Sequence, residues 1–191
     1  SRYAKTGETV YIPFTIYARY GTTGTGTRQL TGTVAIKIGQ TMNFIDVKTT
    51  DYFYNSVKWA VNKGVTTGTS STTFSPYNPC KRAEIVTFLW RAAGSPEPTI
   101  TRNPFRDVNA VTHSSYYKAI LWASQKGITS GTSATAFSPD QVCTRAQIVT
   151  FLYRYAGQPS GYYSNPFKDV SSVNEASYYN AILWAVGKGI T

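Results

Sequence analysis

Three tryptophans stand in nearly the same words: Trp59 in KWAVNKGVT, Trp122 in LWASQKGIT and Trp184 in LWAVGKGIT, 63 and 62 residues apart. The repetition reaches well beyond them. Phe44-Ile45-Asp46-Val47, Phe105-Arg106-Asp107-Val108 and Phe167-Lys168-Asp169-Val170 open three units. GTSSTTFSP (68–76) returns as GTSATAFSP (131–139), and CKRAEIVTFLWRAAG (80–94) returns as CTRAQIVTFLYRYAG (143–157). Self-similarity at a fixed period limits the chain to a string of equivalent supersecondary units. Each is too small for its own core and buries its apolar stripe on its neighbours.

Each unit reads the same way. After F-x-D-V comes a first helix, in which Tyr116, Tyr117, Ile120, Leu121 and Trp122 recur at helical spacing and Gly127 supplies the stop. A Gly/Ser/Thr loop ending in Phe137-Ser138-Pro139 follows. A second helix starts at Thr144, carries Ile148, Phe151, Leu152 and Tyr155 at i, i+3, i+4, i+7, and ends at Gly157. The units span 44–103, 104–166 and 167–191. The third has no long loop or second helix and reads as truncated. It is expected to leave apolar surface bare, disordered or covered by another chain, which opens a route to self-association. Residues 1–43 differ: ETVYIPFTIYARY and TGTVAIKIG alternate and are rich in β-branched and aromatic residues, with GTTGTGTRQL as a loop between them. They read as a β-hairpin that packs on the helical units or ends an upstream domain. The fold class is therefore mainly α in the repeats, with a small β-rich N-terminal segment. The chain opens on Ser1 without a signal-peptide pattern, which reads as a fragment or a processed form.

Lysine and arginine outnumber acids 19 to 9, a net charge of +10. That points to a polyanionic partner: nucleic acid, anionic lipid or an acidic glycan. No block of consecutive basic residues supports nucleic acid, and no apolar run is long enough to span a bilayer. One histidine and two distant cysteines give no support to a zinc site, and no cofactor motif is present. His113 lies in a polar stretch and reads as exposed. Ser138 and Thr132 have no His/Asp partner at a recognisable spacing, so a binding module is favoured over an enzyme. Cys80 and Cys143 occupy equivalent positions, each one residue before its motif. A disulfide requires their Cα atoms to come within about 7 Å. Two buried free thiols are the favoured reading.

Thr144 and Gln147 fit a capping box, Thr at the N-cap and Gln at N3. That does not explain Arg145, since the positive end of a helix dipole is a poor place for a cation unless something negative docks there. In the first unit Lys81 replaces the threonine, while Arg82 and Glu84 remain. Helix-start amides beside a guanidinium fork suit a carboxylate or phosphate. The alternative is an internal ion pair of Arg82 or Arg145 with Asp46, Asp107 or Asp169, and both can hold at once.

The ordered set F-x-D-V, Y-x-x-A-I-x-W-A, G-I-T-x-G, F-x-P and T-R-A-Q resembles the S-layer homology (SLH) domain family over residues 44–191. The resemblance implies three units around a pseudo-threefold bundle, each giving one helix to the centre, with grooves between them. It implies an extracellular bacterial surface protein held non-covalently by a secondary cell wall polymer, often through a pyruvate ketal. Carried over, Arg145, Thr144 and Gln147 match the binding motif, as do Arg82 and Glu84, with Lys81 a departure. Asp46, Asp107 and Asp169 match the opening aspartate near the groove. Trp59, Trp122 and Trp184 match the first-helix tryptophan, for which core packing and stacking on a sugar are both open. Gly68 and Gly131 would let backbone approach the ligand. The partner implied is an acidic cell wall polysaccharide. A structural or assembly module acting by protein–protein contact is the alternative. A nucleic-acid binder is supported by charge alone.

Overall fold

A computed structural model describes residues 9–20, 26–37, 42–100, 102–174 and 176–191. Strands β1 (Thr9–Tyr20) and β2 (Gly26–Lys37) form an antiparallel hairpin, with Thr9 opposite Lys37 and Tyr20 opposite Gly26. Residues 26–30, expected in the loop, belong to β2; residues 21–25 lie outside the described residues, as does the start of the chain through residue 8. Among the described residues neither strand packs on a helix, and Tyr11, Ile12, Phe14, Leu30 and Val34 are exposed.

The repeats supply helices α1 (Tyr54–Asn62), α2 (Arg82–Ala92), α3 (Tyr117–Gln125), α4 (Arg145–Tyr155) and α5 (Tyr179–Gly187). Helices α1, α3 and α5 are the tryptophan helices, and one device ends all three. Gly64, Gly127 and Gly189 take φ of +69°, +67° and +66°, a conformation open to a residue without Cβ. The next amide then turns back onto the last turn: Val65, Ile128 and Ile190 N–H donate to the carbonyls of Ala60, Ala123 and Ala185 at 2.8–2.9 Å.

The two larger cores join adjacent units. In the largest, Ala83, Ile85, Val86 and Leu89 of α2 pack on Ala119, Ile120, Trp122 and Ala123 of α3, over Phe105 and Phe137. In the second, Val149 of α4 packs on Ala181, Trp184 and Ala185 of α5. The second helix of one unit thus covers the tryptophan helix of the next. Helix α1 keeps a smaller cluster, Val47, Val57 and Val61 with Phe44 and Phe74. Among the described residues no helix packs on α1, and Trp59 is 55% exposed, against 3% for Trp122 and 6% for Trp184. His113, expected exposed, is half-buried: its Nδ1 accepts from the Asn109 N–H at 2.9 Å and its ring lies beside Tyr116.

Candidate functional site

The F-S-P loop holds the first junction together. Asp46 accepts from the Phe74 and Ser75 amides at 2.9 and 2.7 Å; Asp107 accepts from Phe137 and Ser138 at 2.9 and 2.7 Å. These bonds fix serines in left-handed backbone, φ +60° at Ser75 and +57° at Ser138, a conformation that carries strain. Two amides on one carboxylate favour its charged form, and the Phe74 N–H leads in holding Asp46 below the usual carboxylate range. The opening aspartates of units one and two thus organise this loop. Gly68 and Gly131 lie beneath it, where a Cβ would strike the Phe44 and Phe105 rings and nearby carbonyls. Neither glycine lines the cleft described below.

Arg82 grips the same loop from the preceding unit. It is 4% exposed, and its Nε donates to the Phe137 carbonyl at 2.8 Å. The guanidinium lies 5.0 Å from the Phe137 ring centre and 5.2 Å from that of Phe151. Burial pushes its pKa below the ordinary value. The helix-start amides beside it are also taken: Arg82 N–H donates to Gln141 at 2.9 Å and Ala83 N–H to Pro139 at 3.1 Å. Lys81 cannot accept a cap bond, because an ammonium has no lone pair. Glu84 keeps its half of the box by accepting from the Lys81 N–H at 2.7 Å, and the Lys81 Nζ pairs with Asp140 at 2.8 Å on the surface. Among the described residues, no ion pair joins Arg82 or Arg145 to the three opening aspartates.

At the second junction the equivalent groups face an open cleft of about 470 Å³. Thr144 and Gln147 complete their box: Thr144 Oγ1 accepts from Gln147 N–H at 3.3 Å and Gln147 Oε1 from Thr144 N–H at 3.1 Å. The Arg145 and Ala146 amides, unlike those of Arg82 and Ala83, have no acceptor among the described residues. Arg145 is exposed, and its Nη2 donates to Thr191 Oγ1 at 2.7 Å. Asp169, Phe167 and Tyr178 line the opposite wall, and Ile148, Leu152, Ile182 and Ile190 make much of the floor apolar. Asp169 is exposed and, among the described residues, accepts no loop amides of the kind that Asp46 and Asp107 hold.

Of the residues singled out from sequence, the cleft gathers Arg145 and Asp169, with Thr144 and Gln147 shaping the helix start. Arg82 and Asp107 meet on one peptide, Phe137-Ser138, inside the first junction. Trp122 and Trp184 are in cores, against Tyr155 and Tyr153. Cys80 and Cys143, expected buried, are half-buried. Thr191 carries no sequence signal, and Tyr178 is legible only as the first residue of the third Y-x-x-A-I-x-W-A motif; the packing of α5 on α4 brings both to the cleft.

A chain of staggered two-helix units that repeats F-x-D-V and, at the second helix start, K-R-A-E and then T-R-A-Q defines a helical repeat module. The S-layer homology domain model matches residues 43–86 and 104–149, and the chain belongs to that family. It is similar to an endoglucanase of Bacillus sp. (strain KSM-635), 34% identical over 111 residues; that stretch is 58% of this chain and 11% of the endoglucanase. S-layer homology domains are in general non-catalytic cell-wall anchoring modules, which associates this chain with the cell surface or wall. Among the described residues no helix is long and apolar enough to cross a membrane.

Proposed function

We propose that this chain anchors a bacterial surface protein non-covalently by binding an acidic, pyruvylated secondary cell wall polymer, with the cleft at the start of α4 as the groove. The observation that carries the reading is Arg145: an exposed guanidinium at the positive end of a helix, beside two amides that have no acceptor among the described residues. That combination suits a carboxylate, and the net charge of +10 favours a polyanion. Tyr178 and Phe167 offer apolar faces for a sugar ring, and Asp169 offers an acceptor for its hydroxyls.

The test is sedimentation of the chain with peptidoglycan sacculi carrying the polymer, stripped of it, or freed of pyruvate. Binding is expected only to the intact, pyruvylated sacculi. Arg145→Ala should weaken it about tenfold or more, the worth of one charge-assisted hydrogen bond. Equal binding to all three preparations, or an Arg145→Ala variant that binds as well as the parent, sinks the proposal.

The apolar floor of the cleft favours a second reading, a protein–protein contact that assembles copies of the chain. Light scattering separates the two: a mass that rises with protein concentration, and falls with Ile182→Asp, supports assembly.

A further inference from the structure

We infer that Cys80 and Cys143 form a disulfide that staples the start of α2 to the segment entering α4. The two residues face each other across a short antiparallel pairing of units one and two. Lys81 and Val142 form its bridge, flanked by the Arg82 N–H to Gln141 bond at 2.9 Å and the Cys143 N–H to Cys80 bond at 3.0 Å. Residues directly opposite at such a flanking position have Cα atoms about 5.5 Å apart and side chains on one face. Disulfides most often span about 5.5–6 Å between Cα atoms, so closure needs rotation of two thiols rather than movement of backbone. Both side chains pack against the largest core while keeping partial exposure, which leaves them open to a small reagent.

The chemistry balances with a small-molecule disulfide as oxidant. One cysteine thiolate attacks it and releases a thiol; the second then displaces the other half. Two protein thiols become one disulfide, and the reagent becomes two thiols. Burial holds both thiols above their ordinary pKa; Glu84 adds to this at Cys80, and Arg82 partly offsets it at Cys143. The bond would lock the peptide that Arg82 grips, and it suits the oxidising exterior of a cell.

The test treats the folded chain with oxidised glutathione and reads intact mass, a non-reducing digest and the thermal midpoint. The mass should fall by two hydrogens without an adduct, a Cys80–Cys143 peptide should appear, and the midpoint should rise by several degrees and return with dithiothreitol. Cys80→Ser and Cys143→Ser should each keep a single glutathione adduct without the rise. Stable glutathione adducts on the parent chain, or cross-linked dimers on a non-reducing gel, would overturn the inference.

Discussion

Arg82 and Arg145 hold the same place in the repeat but meet different surroundings. Arg82 is desolvated between two phenyl faces with a carbonyl on its Nε, and its planar fork suits both contacts. Lysine has neither the plane nor the fork. Arg82→Lys should therefore destabilise the fold by about 2–4 kcal/mol, from a lost charged hydrogen bond and lost cation–π contact. Arg145 is exposed and bonded to a single hydroxyl, so Arg145→Ala should stay within about 0.5 kcal/mol of the parent. Urea unfolding of the two variants checks both. Equal destabilisation would mean that the cleft arginine is structural and would remove the argument for a ligand there.

At the scale of elements, the F-S-P loop is built by a carboxylate rather than by its own sequence. Asp46 is held below its ordinary pKa chiefly by the Phe74 amide, and Asp140 by Lys81. A carboxylate depressed in the folded state contributes stability above its unfolded pKa, near about 4, and loses it as pH falls through the folded value. The thermal midpoint should thus drop in acid below that range. Asp46→Ala should lower the neutral midpoint and flatten the acid slope; an unchanged slope would show that the loop stands without its carboxylate. The same contrast explains what the sequence made legible. The helix stops at Gly64 and Gly127 and the Thr144–Gln147 box were readable, because partners lie within one turn. The partners of Asp46 and Arg82 are 28 and 55 residues away, so no local spacing announced them. Residues 26–30 read as a loop because Gly26, Thr27 and Arg28 carry no alternation, while pairing with 16–20 makes them strand.

Across the whole molecule, the unit of sequence and the unit of packing are out of step. The repeat marks 44–103 as one unit, yet the apolar face of α2 is covered by α3 from the next. A fragment 44–103 would leave Ile85, Val86 and Leu89 in water, with only the α1 cluster to order it. A fragment 80–157 cuts across the repeat boundary and keeps α2, α3, α4 and the loop between Arg82 and Asp107. It retains every buried residue of the largest core, including the fully enclosed Ile120, Ile128 and Phe137. The staggered fragment should therefore melt cooperatively by circular dichroism, and the sequence unit should show no transition, because a helix shorter than about 12 residues is marginal in water without packing. If instead 44–103 melts cooperatively and 80–157 does not, each repeat carries its own core, and the two junctions are contacts between finished domains.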